Sequence, residues 1–128
     1  MADIGVTQIH HSSVIVTDPD RARDFYTRVL GMEEVPYPST FSIAVIWFKL
    51  AGQQIHLMIK DQPDTISPRH VALQVADAVA ARAALRQQGV EIKESVCIPG
   101  SDRFFIRDPD GNCIELIEWK IPWGDGPM

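Results

Sequence analysis

Two stretches of this chain, HHSSVIVTD (His10–Asp18) and RHVALQVAD (Arg69–Asp77), lie over one another when the chain is slid along itself to bring His11 onto His70. Val14 then falls on Leu73, Val16 on Val75 and Asp18 on Asp77. The same offset carries GQQIHLMI (Gly52–Ile59) onto GNCIELIE (Gly111–Glu118), so that Ile55 meets Ile114, His56 meets Glu115 and Leu57 meets Leu116. Between these matches only one length slip is needed, VLGM against QQGV. An offset held over so long a span points to one supersecondary unit used twice. Whatever the first half folds into, the second half must fold into again.

Each half starts with a short run of β-formers ending at an aspartate. Asp18 and Asp77 suit the N-cap of a helix, where a carboxylate accepts the unpaired N–H groups of the first turn. Pro19 fits the first helical position, which needs no N–H. In DRARDFYTRVL, Ala22, Phe25, Tyr26, Val29 and Leu30 recur at helical spacing on one face, and AVAARAALRQQ repeats that periodicity. Gly31 and Gly89 close the two helices. Three strand-like runs follow each helix, near residues 33–36, 42–50 and 54–60 and near 90–98, 103–107 and 112–119. The last pair is joined by RDPDGN, a turn-forming sequence. The reading is α+β: two tandem βαβββ modules, about 7–60 and 69–119, in a single domain spanning 1–128, with an irregular end at 120–128 that can pack by way of Trp119, just before it, and Trp123.

Side chains alternate across a strand. Val14 and Val16 share one face of the first strand, and His11, Ser13 and Ile15 the other. His56 faces away from Ile55 and Leu57, His70 from Val71 and Leu73, and Glu115 from Ile114 and Leu116. In each case the large aliphatics take the helix-covered face and the potential ligand takes the opposite one. Three of the four histidines stand at repeat-equivalent places, and the fourth such place holds Glu115. Three neutral imidazoles and a carboxylate suit a divalent first-row ion such as Zn, Ni, Co, Mn or Fe(II). The candidate metal ligands are therefore His11, His56, His70 and Glu115. His10, on the packed-face parity, is expected to be structural.

Composition narrows the class. Hydrophobic residues at 45% and charged residues at 23% are the balance of a globular domain. The net charge of −5, with no basic run, argues against nucleic acid. The longest apolar stretch, FSIAVIWF, is too short to span a bilayer, and MADIGVTQIHH has no signal-peptide pattern. Cys97 and Cys113 do not make a disulfide framework and are expected to be small buried hydrophobes in a reducing cytosol. A cytoplasmic protein acting on a small molecule is the expectation.

The phrases HHSSVIVTDPDRARDFYTRVLGM, RHVALQVAD and RFFIRDPDGNCIELIE resemble the vicinal oxygen chelate superfamily, the group of glyoxalase I, bleomycin resistance proteins and extradiol dioxygenases. The resemblance covers about residues 7–119. It implies that the paired modules form a U-shaped eight-stranded mixed sheet, or open barrel, around a divalent metal on the concave face. It also implies a homodimer, and by motif position it carries the metal ligands to His11, His56, His70 and Glu115. Pure binding members of the group lack the metal set. Extradiol dioxygenases and fosfomycin-type transferases use three ligands, matching His11, His70 and Glu115. Isomerases of the glyoxalase I kind use four, the extra one where His56 sits. The reading is thus a lyase or isomerase working by metal-assisted proton transfer, with Glu115 as base. The alternatives are an Fe(II) ring-cleaving dioxygenase and a drug-binding or resistance protein. Glyoxalase I enzymes of this length carry an arginine four residues after the first histidine to hold the glutathione carboxylate. Ile15 occupies that place here, which argues against glutathione. Arg103 and Trp47 are the candidate substrate-binding residues.

Overall fold

The computed structural model describes residues 3–40 and 44–121. The first residues of the strand expected at 42–50, and Trp123, lie outside the described residues. The chain divides into two compact units, Met1–Gln62 and Pro63–Met128. Each carries a four-stranded mixed sheet.

In unit one the strands are β1 (His11–Val16), β2 (Glu33–Val35), β3 (Val45–Leu50) and β4 (Gln53–Ile59), in the order β1-β4-β3-β2. In unit two they are β5 (His70–Gln74), β6 (Lys93–Glu94), β7 (Ser101–Arg107) and β8 (Cys113–Trp119), in the order β5-β8-β7-β6. The first strand of each unit pairs in parallel with the last, and the rest pair antiparallel. The eight strands therefore hydrogen-bond as two sheets of four, not as one sheet of eight, because each ladder closes within its own βαβββ unit.

The repeat keeps its register where it matters most. His11 pairs with Gln54 and Ser13 with His56; at the repeat-equivalent places His70 pairs with Cys113 and Ala72 with Glu115. Across the β3–β4 and β7–β8 ladders the offset shrinks by one: Trp47 faces His56, and Phe105 faces Glu115. The single expected slip is in fact two that cancel. One is in the first helix, where the path from its cap Asp18 to Gly31 is longer by one than the path from Asp77 to Gly89. α1 (Pro19–Asp24) passes into a π-helical turn over Phe25–Val29, in which Leu30 N–H donates to the Phe25 carbonyl at 3.0 Å. That turn absorbs the extra residue. The other slip is the hairpin: Ala51-Gly52 joins β3 to β4, while the longer DPDGN loop joins β7 to β8.

The caps are as expected. Asp18 Oδ1 accepts from the N–H groups of Asp20 and Arg21, and Asp77 Oδ1 from that of Ala80. Gly31 and Gly89 take positive φ, 73° and 76°, as helix-terminating residues do. Under α1 lie Tyr26, Phe48, Ile55, Leu57 and Val16, with the Tyr26 ring stacked on Phe48 at 5.7 Å. In unit two the core is Leu85 of α2 (Ala78–Gln87) with Phe104, Ile114 and Leu116 of the sheet. Val29 and Leu30, expected on the packed face, are only half-buried, because the π turn rotates them away from it.

Three expectations are corrected. The strand expected at 90–98 is reduced to Lys93–Glu94. It is an edge whose Lys93, Glu94, Ser95 and Val96 face solvent. Cys97 is exposed rather than buried, since it lies in the irregular segment after β6, and Cys113 is half-buried. His10 is exposed, just before β1, where its carbonyl accepts from Gln54 N–H.

Candidate functional site

In unit one, β3, β4 and β1 lie side by side, and on the face away from α1 they present Trp47, His56 and His11. The three rings form a stack: Trp47 to His56 is 4.1 Å at 4°, and His56 to His11 is 4.0 Å at 13°. His56 is buried within it. Its Nε2–H donates to Gln54 Oε1 at 2.7 Å. Burial first, and then the charges of His11 and His10, push its pKa down to about 4, so the ring is neutral at physiological pH. His10 Nδ1 and His11 Nδ1 share a hydrogen bond at 2.9 Å. A neutral imidazole is the form that ligates metal. Imidazoles lying face to face keep their lone pairs in separate parallel planes. One ion does not lie in both planes, so engagement by both His11 and His56 turns one ring out of the stack.

Unit two presents His70, Glu115, Phe105 and Arg103 on the matching face. His70 Nε2 is 3.0 Å from Glu115 Oε1, and Nδ1 is 2.9 Å from the Pro68 carbonyl. A carbonyl only accepts, so Nδ1 carries the proton. When the ring is neutral it turns a lone pair on Nε2 toward a carboxylate oxygen. Two acceptors at that separation need a proton or a cation between them. An Nδ1–H held by a backbone carbonyl is also the usual outer partner of a histidine that ligates metal through Nε2. Glu115 is buried, its second oxygen 3.7 Å from Arg103 Nη1. Phe105 closes on His70 edge-to-face at 5.2 Å.

The described residues therefore hold the four candidate ligands as two pairs, His11 with His56 and His70 with Glu115, and among them no group of three or more His, Cys, Asp or Glu side chains is arranged to hold a metal ion. The donor chemistry fits a divalent ion best at His70 and Glu115. Gln54 was not singled out by the sequence reading. It could have been, because it precedes His56 by two on the same strand face.

The family model described as the Glyoxalase/Bleomycin resistance protein/Dioxygenase superfamily matches residues 8–116. The chain belongs to this superfamily. Among glyoxalase relatives, a protein of Arabidopsis thaliana named Glyoxylase I 4 is 26% identical over 122 residues, covering 87% of this chain and 70% of its own length. The lactoylglutathione lyase of Escherichia coli O157:H7 is 32% identical over 123 residues, 86% of this chain and 91% of that enzyme. The crystal structure of a glyoxalase family protein from Bacillus anthracis superposes with a TM-score of 0.85 at 30% identity, over 93% of this chain and 100% of the other.

Proposed function

We propose that this glyoxalase-superfamily chain is a divalent-metal-dependent lyase or isomerase acting by proton transfer on a small oxygenated substrate, with His11, His56, His70 and Glu115 as metal ligands. The observation that carries it is the His70–Glu115 pair: an imidazole whose Nδ1–H is held by a backbone carbonyl and whose Nε2 is 3.0 Å from a buried carboxylate. A bound divalent ion supplies Lewis acidity toward a carbonyl or hydroxyl oxygen of the substrate. The protein's residues do the rest. Glu115 takes the proton from the carbon beside that oxygen and returns it. The Pro68 carbonyl keeps His70 in one tautomer, and Phe105 packs edge-to-face against its ring. The metal class is Zn, Ni, Co, Mn or Fe(II). The name lactoylglutathione lyase, borne by a relative of nearly the same length, supports lyase chemistry, while Ile15 in the arginine position argues for a substrate other than a glutathione adduct.

The test is calorimetric metal titration of the wild type, His11→Ala and Glu115→Ala. Outer partners of metal ligands are alone worth about 10- to 100-fold in affinity, so loss of a ligand should cost at least that. Unchanged stoichiometry and affinity in both variants would sink the ligand set. Elemental analysis of the purified protein separates the chemistries: zinc, nickel or cobalt with activity in the absence of oxygen supports proton transfer, and iron with oxygen consumption supports ring cleavage instead.

We further propose that the chain works in the cytoplasm as a homodimer. Ile4, Val6 and Ile9, which are 89%, 78% and 64% exposed, support the assembly as an apolar segment that a second copy can cover.

A further inference from the structure

The two arginines of unit two differ sharply. Arg82 is satisfied: its guanidinium is paired with both oxygens of Glu94 and of Asp102 and reaches the Arg103 carbonyl, above the Phe104 ring at 4.7 Å. Arg103 is not. Its side chain is 13% exposed, and its Nε–H is buried with no hydrogen-bond partner among the described residues. The nearest countercharge, Glu115 Oε2, is 3.7 Å from Nη1, too far for a hydrogen bond. A buried guanidinium N–H left without an acceptor is costly.

The fold does not ask for a cation there. Through the ladders, Arg103 faces Ile117 as Val45 faces Met58, so the equivalent place in unit one is filled by a buried valine. The position is one that packing alone fills with an apolar side chain. Phe105 supports the guanidinium from one side, its ring 5.5 Å from Cζ, which leaves the donor edge available to a ligand.

We propose that Arg103 is the anion-binding residue of the site, and that the substrate is a small carboxylate with its oxygen function on the carbon next to the carboxyl group, as in 2-oxo and 2-hydroxy acids. Guanidinium and carboxylate pair through two parallel N–H···O bonds at about 2.8 Å. A base takes a proton from a carbon within about 3 Å. A carboxyl group on the reacting carbon or its neighbour meets both conditions across the 3.7 Å between Arg103 Nη1 and Glu115 Oε2. The assignment rests on the metal-dependent reading of His70 and Glu115, and it names the substrate class for it.

Lactate and lactamide make the test, since they share shape and oxygen donors and differ in charge. Calorimetry on the zinc-loaded wild type should show lactate binding about 10- to 100-fold more tightly. Arg103→Met and Arg103→Gln should lose that preference, and Arg103→Lys should keep part of it, since a point charge replaces the fork. Equal binding of the two compounds by the wild type overturns the proposal without need of a variant, and so does a preference that survives in Arg103→Met. Zinc is titrated in parallel. Zinc binding without a lactate preference overturns the anion site alone. A lactate preference in a chain that binds no zinc overturns the metal reading and leaves Arg103 as assigned.

Discussion

His56 is the residue whose environment departs furthest from what its position in a strand suggests. It lies between Trp47 and His11, with Gln54 on its Nε2. Its pKa, held near 4 by burial and by the two neighbouring histidines, lies below the value of about 6.5 it takes in an unfolded chain. The unfolded state therefore binds a proton first as pH falls. The contribution of His56 to stability is complete above about pH 6.5 and is lost progressively as pH drops through 4. Thermal melts of chelator-treated protein should show this loss between pH 7 and 4, with a shallower slope in His56→Gln; equal slopes in both would refute the assignment. The stack also offers a reporter. If metal binding turns His56 out of it, the indole of Trp47 loses its neighbour, so titration with zinc should change tryptophan emission in the wild type and much less in Trp47→Phe. Alternation along β4 and β8 was enough to place His56 and Glu115 on the right face. It could not show the hydrogen bond of Gln54 or the burial of Arg103, because both depend on what neighbouring strands bring to that face.

Among the elements, α2 is fastened to its sheet by Arg82, which joins β6 and the start of β7 through Glu94 and Asp102. Arg82→Ala leaves two carboxylates without a partner and should cost about 1.5–3 kcal/mol by denaturant unfolding, the worth of hydrogen bonds to charged groups. Arg28→Ala, which removes a fully solvated pair with Asp24 on the first helix, should leave the unfolding midpoint where it was. A result in which both cost the same would mean that burial does not set the difference. Helix starts were legible because an Asp-capped turn is a local signal. The π turn was not, since Phe25, Tyr26 and Val29 read as an ordinary helical stripe. Only the comparison of the two halves, the first longer by one between cap and glycine, carried the hint. The short β6 was misjudged for a related reason: β-formers such as Val90, Ile92 and Val96 mark a run as strand-like, but an edge forms only as far as its neighbour extends.

For the whole molecule, the charge of −5 and the absence, among the described residues, of any helix long and apolar enough to cross a membrane agree with the composition. The proposed assembly is checked by sedimentation: the wild type should run as a dimer, and a variant combining Ile4→Ser, Val6→Ser and Ile9→Ser as a monomer. A monomeric wild type would refute it. The fold was readable because a duplicated pattern leaves little freedom in how it is built, whereas the substrate proposed above rests on a single side chain, Arg103, that breaks the pattern. The two cancelling slips carry a consequence for how this scaffold can be altered. An added residue has been absorbed in a helical turn of one copy, and a second in the hairpin loop of the other, while strand pairing around the ligand positions kept its phase. A designer lengthening the chain should graft at Asp108–Asn112 or within Phe25–Val29. The same single-residue insertion inside β4 or β8 would turn His56 or Glu115 to the opposite face of its sheet.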